Sequence, residues 1–278
     1  MAGQESAQSG IDTRIPNMAR MYDYALGGKD NFAADREAVE KLFSFSPENR
    51  DVPRANRRFL GRAVRFAAAR GVRQFLDLGT GLPSQGHVHE IVGETDPGAR
   101  VVYVDYDPVV VNHGRALLPA SSSVAVVEAD IRDPEGILAH PGVTGLIDFS
   151  QPVAVLFVAV LHGIPDEADP AGIVRAIGAR TSPGSYLILS HLTSEGHPPE
   201  LVAKKEEVFA RSNAPVSYRS RAEILRLFSG FDLVEPGLTA VTRWRPEALD
   251  RGLDAAGQWW LGGVGRRAQP AGQEGAPR

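Results

Sequence analysis

The chain has 278 residues, 43% of them hydrophobic, enough to bury one full core. A formal net charge of -4 provides no global basic field to attract nucleic acid, and zero cysteines exclude disulfides and thiolate metal sites, which suits a reducing cytoplasm. The longest apolar run, PVAVLFVAVL (152–161), is shorter than the roughly 18 residues a membrane-spanning helix needs.

In chain order, residues 1–14 are small and polar, with no basic patch before an apolar stretch, and are expected to be disordered. MARMYDYALGG (18–28) predicts a helix stopped at Gly27 and Gly28. DNFAADREAVEKLF (30–43) restarts one, with Asp30 or Asn31 as its cap, so residues 15–50 form a helical cap over the sheet or a ligand cleft. A helix over 56–70 carries Phe59, Leu60, Ala63, Val64 and Ala67 on one face, and the arginines between 50 and 73 read as its solvated face.

Five apolar runs then follow at 74–78, 100–106, 124–130, 152–160 and 184–192. They are short, β-branched and apolar on both faces, as buried parallel strands are. Helical patterns at 88–94, 109–118, 169–180 and 221–228 separate them, which predicts an open α/β sheet with helices on both faces. The segments from 231 and up to 267 suit a closing antiparallel pair, and the Gly- and Pro-rich tail 268–278 is expected to be disordered. One domain over 15–267, with its core at 51–267, is the simplest organisation.

The loop after the first strand, DLGTGLPS (77–84), is where a nucleotide-like ligand sits in such sheets. Gly79 and Gly81 flank Thr80 and let the backbone approach the ligand, but the third glycine of a pyrophosphate fingerprint is missing. Asp77 is the sharper clue, because a carboxylate there repels pyrophosphate and favours an ammonium-bearing ligand. Asp-x-Gly-x-Gly resembles the pattern of class I methyltransferases, which bind S-adenosyl-L-methionine. Further acidic residues fall at strand ends. Asp105, followed by Tyr106, suits the ribose hydroxyls. Asp130, followed by Ile131, stands where such methyltransferases place a carboxylate near the adenine, and Ala159 opens a stretch that resembles their loop on the methyl-donor side. Asp107 and Asp133 read as turn residues.

Longer strings carry a closer likeness: PNMARMYDYALGGKDNFAADRE, PRANRRFLGRAVR, RQFLDLGTGLP, ARVVYVDYDPVVV, PVAVLFVAVLHGIPD, PGSYLILSH, RSRAEI, LVEPGL and GGVGR. With these, residues 15–267 resemble an actinobacterial family of S-adenosylmethionine-dependent methyltransferases, formerly catalogued as a domain of unknown function. The resemblance implies a Rossmann-like class I fold, a mostly parallel seven-stranded sheet and S-adenosyl-L-methionine as cofactor. It implies methyl transfer by in-line displacement to an unidentified acceptor.

Aligning nucleophile, methyl and sulfur is the main task of such an enzyme, and a base is required only for a protonated acceptor. His162 and His191, at the ends of the fourth and fifth strands, are the placed candidates. The scattered histidines lack zinc-site spacing, so no metal is expected. Tyr22, Tyr24 and Asn31 are candidates for a lid hinged at Gly27 and Gly28, whereas Trp259 and Trp260 read as core. The acidic balance points to a small-molecule acceptor in the cytoplasm, with neither nucleic acid nor membrane as partner. Two alternatives stay open, a non-catalytic S-adenosylmethionine-binding regulator and an NAD-dependent oxidoreductase.

Overall fold

A computed structural model describes residues 12–82, 86–117, 123–250 and 252–268. The segments expected to be disordered lie outside these residues except for 12–14 and 268, as do Pro83 and Ser84 of the glycine loop.

Five strands run parallel: β1 (Gln74–Leu78), β2 (Arg100–Asp105), β3 (Val124–Glu128), β4 (Ala154–Val158) and β5 (Tyr186–Leu192). Two short strands, β6 (Asp232–Leu233) and β7 (Thr239–Ala240), pair antiparallel with β8 (Trp260–Arg266), which itself pairs antiparallel with β5. The order is β3-β2-β1-β4-β5-β8-β6, with β7 also on β8. The sheet therefore has eight strands, not seven. Both short strands pair with β8, at its two ends, and the chain between them holds Pro236, which has no N–H to give a ladder, and Gly237 in a left-handed turn at φ 83°.

Side-chain alternation feeds two cores. Phe75, Val101, Tyr103, Leu156 and Ile188 face one side; Leu76, Val102, Val104, Val155 and Leu189 face the other. Two helices, α1 (Met18–Leu26) and α2 (Ala33–Phe45), form the cap and share the first core with α3 (Val52–Ala68). Between strands lie α4 (Val88–Gly93), α5 (Pro108–Leu117), α6 (Pro134–Ala139), α7 (Pro141–Thr144) and α8 (Pro170–Arg180). They are followed by α9 (Pro199–Phe209), α10 (Arg221–Arg226) and α11 (Asp254–Gly257). Among the described residues no helix is long and apolar enough to cross a membrane.

Local details correct the sequence reading. Helix α1 ends at Gly27 as expected, in the left-handed conformation at φ 87°. Helix α2 is capped neither by Asp30 nor by Asn31. Its N-cap is Phe32, whose N–H donates to Asp35 at 2.8 Å, while Asp35 is also ion-paired with the buried Arg20. The arginines of α3 are not one solvated face. Arg54 and Arg65 are exposed, but Arg62 is buried against Asp250 at 2.7 Å and Arg57 turns toward the cavity described below. Helix α9, which strand alternation does not announce, begins at a proline suited to a first turn and continues in good helix formers.

Candidate cofactor and acceptor site

The strand order reverses between β1 and β4, and a cavity of about 440 Å³ opens beyond the carboxyl ends of these strands. Helices α1 and α2 contribute to its walls. All nine residues expected to hold the cofactor line it: Asp77, Gly79, Thr80, Gly81, Asp105, Tyr106, Asp130, Ile131 and Ala159.

The turn after β1 has a steric origin. Gly79 sits at φ 73°, and a Cβ there would lie 2.2 Å from Cγ2 of Val160, in the loop after β4. Its N–H and that of Thr80 both reach the carbonyl of Val104, at 2.8 and 3.2 Å, so the loop is pinned to β2. The Gly81 N–H then donates to Asp105 Oδ2 at 2.9 Å, while Oδ1 accepts from the Asp107 N–H at 3.0 Å. Burial pushes the Asp105 carboxyl up, and these backbone donors oppose it. Each oxygen keeps a further lone pair for a diol.

Asp77 shares its face of β1 with Phe75 and points toward α3. Burial lifts its carboxyl from 3.8 to about 6, against the guanidinium of Arg57 and a 3.2 Å hydrogen bond from Thr80. A desolvated carboxylate of this kind gains most from a cation placed against it. With Arg57 beside it, the pair offers opposite charges to a zwitterionic amino-acid group. Asp130 differs: both its oxygens are forked by Arg132, which holds the carboxyl below its usual range. Beyond β4, Ala159 adopts φ 63° without being glycine, and its N–H points at the carbonyl and hydroxyl of Ser190, at 3.3 and 3.2 Å. Ser190 passes the link to Asn56 at 2.6 Å, and Asn56 donates to the Tyr22 hydroxyl at 3.1 Å.

The two candidate histidines separate. His162 lines the cavity, its ring edge-on to Trp260 at 5.3 Å. Neither ring nitrogen has a hydrogen bond among the described residues, and burial holds the imidazole neutral. His191 does not belong to the site. Its Nδ1 lies 2.6 Å from the Leu192 carbonyl and so carries the proton, and its Nε2 accepts from Arg219 at 2.7 Å. Burial pushes its pKa to about 3. With its lone pair committed to a guanidinium, His191 takes no proton from a substrate.

The lid candidates also separate. Tyr22 lines the cavity and hydrogen-bonds the Pro53 carbonyl at 3.1 Å. Tyr24, about 200° further round α1, bonds Glu40 outside the cavity at 2.9 Å. Asn31 instead holds Asp23 at 3.0 Å. Gly28 packs so tightly on Asp23 that a Cβ would lie 1.9 Å from its Oδ1, which makes the glycine pair a fastened corner here.

Several site residues escaped the sequence reading. Arg57 lines the cavity, not the solvated face that periodicity predicts, and Trp260 packs in the core as expected while also lining the cavity. Asp107 caps α5 through the Val109 N–H, as a turn residue does, but it also lines the cavity and accepts from Asn17. Arg219 staples the loop that carries His162, donating to the carbonyls of Leu161 and Ile164 at 2.9 and 2.8 Å. The long string containing Asn17 and the RSRAEI string containing Arg219 marked these positions without giving their roles.

Comparison with known proteins agrees with this geometry. A family model described as S-adenosyl methyltransferase matches residues 4–268. A candidate methyltransferase from Thermobifida fusca YX is 40% identical, covering 95% of this chain and 100% of that one with a TM-score of 0.86. A DUF574 family protein from Streptomyces avermitilis MA-4680 is also 40% identical, over 92% and 99% of the two chains, with a TM-score of 0.87. An O-methyltransferase family protein from Burkholderia thailandensis, 14% identical over 80% of this chain and 58% of that one with a TM-score of 0.51, shares the fold. The search of curated proteins returned no match. A class I fold with a carboxylate at each of three adjacent strand ends and a family match over nearly its whole length identify the chain as a member of the S-adenosyl methyltransferase family.

Proposed function

We propose that this S-adenosylmethionine-dependent methyltransferase acts in the cytoplasm on a small molecule held beneath the α1–α2 cap, with His162 as the proton acceptor. The observation that carries the reading is a single cavity. It runs from Asp77, Asp105 and Asp130 past Ala159 to the unpartnered imidazole of His162. S-adenosylmethionine supplies an electrophilic methyl carbon on a sulfonium. Asp77 and Arg57 hold its amino-acid end, Asp105 the ribose hydroxyls, and Asp130 with Ile131 the adenine. Tyr22 closes the acceptor side, where apolar walls exclude water. His162 is neutral and can accept the proton that an acidic acceptor loses, a contribution of roughly 10² to 10⁴ in rate.

A net charge of -4 and a roofed cavity both argue against a nucleic-acid strand as acceptor. Titration calorimetry with S-adenosylmethionine, its demethylated product and NAD tests the cofactor assignment, with Asp105→Ala as control. Binding of the first two but not NAD, weakened by the substitution, is expected. NAD binding without S-adenosylmethionine binding would overturn it.

A further inference from the structure

The cavity has a second half that the cofactor residues do not account for. Its walls include Met21, Leu42, Phe43, Leu60, Phe209 and Trp260, all buried and drawn from the cap, α3, α9 and β8. Charged residues on the cavity wall lie elsewhere. Asp77, Asp105, Asp107, Asp130, Arg57 and Arg132 belong to the cofactor end, and Asp23 is tied up by Asp30 and Asn31. The polar groups of Tyr22 and Asn56 are already joined to each other and to Pro53 and Ser190.

Two groups remain. His162 has no hydrogen-bond partner among the described residues. Its Nδ1 is sealed, which leaves Nε2 as the nitrogen open to the cavity. Tyr218 also lines the cavity, and its hydroxyl has no partner among the described residues. Burial together with the nearby Glu206 carboxylate keeps that phenol protonated. The chamber thus presents one acceptor, one donor and otherwise aromatic, thioether and aliphatic surface.

Resting on the methyl-transfer reading above, we propose that the acceptor is an uncharged aromatic hydroxyl compound. Its ring frame lies against Met21, Phe43, Phe209 and Trp260, and its hydroxyl is served by His162 and Tyr218. A phenolic oxygen matches the two groups because it donates to an imidazole and accepts from a hydroxyl at once. Among the described residues of this half of the cavity a carboxylated compound meets no cation and an ammonium no carboxylate except Asp23, already bonded to Asp30 and Asn31, so either would be buried unpaired at high cost. Flat rings suit aromatic and methionine walls. In the transfer, the oxygen–methyl bond forms as the methyl–sulfur bond breaks, and the hydroxyl proton passes to His162.

The test uses the full-length protein with 2-naphthol and 4-phenylphenol, compared with 2-naphthylamine and 2-naphthoate. Binding is read as a melting shift on top of that given by the demethylated cofactor, and transfer as label moving from methyl-labelled S-adenosylmethionine into an aryl methyl ether. At least one phenol is expected to bind and be methylated, with 2-naphthoate at least tenfold weaker. Tyr218→Phe is expected to raise KM for the phenol about two- to tenfold, the range of one hydrogen bond, while cofactor affinity stays within twofold. His162→Gln should lower kcat at pH 7.5, with the deficit shrinking as pH rises toward the phenol's own pKa. Preference for the amine or the carboxylate, rejection of both phenols by the cofactor-loaded protein, or an unchanged KM in Tyr218→Phe would overturn the proposal. Absence of any shift from the demethylated cofactor would instead sink the methyl-transfer reading itself.

Discussion

The side-chain amide of Asn17 donates to the carboxylate of Asp107 across 2.5 Å, joining the N-cap residue of α1 to the strand end that carries Asp105. Asp107 in turn donates its N–H to Asp105, and Asn17 accepts from the Arg20 N–H as the N-cap of α1. The cap and the Asp105 carboxylate are thus two hydrogen bonds apart.

Asn17→Ala removes a buried hydrogen bond to a charged acceptor, worth about 1.5–3 kcal/mol. We expect S-adenosylmethionine affinity to fall about tenfold or more by calorimetry. Asn17→Asp keeps a helix-capping oxygen but sets carboxylate against carboxylate, so it should bind more weakly still. Equal affinity in all three proteins would separate the cap from the cofactor site.

Asp77 gives the free protein a pH signature. Burial raises its folded-state pKa to about 6 from 3.8, so the native state holds the proton more tightly than the unfolded chain. The resulting stabilisation is complete below about pH 3.8 and is lost as pH rises through 6, amounting to about 3 kcal/mol at most. Asp77→Asn should abolish this dependence in urea titrations at pH 4 and pH 7. For the cofactor the slope reverses, because only the ionised carboxylate pairs with an ammonium. Affinity should rise between pH 5 and pH 7 in the native protein and stay flat in Asp77→Asn.

His162 and His191 sit edge-on at 5.7 Å, yet they should fail differently. His162→Gln is expected to lower turnover about 10²- to 10⁴-fold with little change in melting temperature. His191→Gln should lower the melting temperature, since Arg219 loses a buried partner, while the pH–rate profile keeps its shape. Identical pH profiles for the native protein and His162→Gln would remove the base.

The buried pair Arg62–Asp250 fastens α3 to the C-terminal segment, with Arg62 also donating to the carbonyls of Trp244 and Val241 at 2.9 and 2.5 Å. Asp250→Ala leaves a guanidinium buried without its counter-charge and should cost about 3–5 kcal/mol in denaturant unfolding. Adding Arg62→Met should recover part of that loss, but not all, because two carbonyls then lose their donor.

How much of the site was legible follows from what periodicity reports. Alternation located β1 to β5, and with the strand ends located, Asp77, Asp105 and Asp130 fell where a ligand binds in such a sheet. All three line the cavity. Local chemistry also placed the end of α1 at Gly27, whereas Asp133, read as a turn residue, caps α6, a helix that periodicity does not announce. These features depend on neighbours a few residues apart, which the sequence displays directly.

The remainder depended on what stands opposite each face. Arg54, Arg57, Arg62 and Arg65 share one helix and one chemistry, yet two meet water, one meets Asp250 and one meets the cavity. Tyr22 and Tyr24 differ by two positions on α1 and face opposite ways. His191 is as suitable a base as His162 by sequence position, but Arg219, 28 residues further on, donates to its Nε2. The sequence by itself determined the parallel sheet, its glycine loop and the three carboxylates at the strand ends that line the cavity. Only the tertiary structure decided which arginine, tyrosine and histidine face the cavity, because helical and strand periods set a side chain's direction and long-range packing sets what it meets.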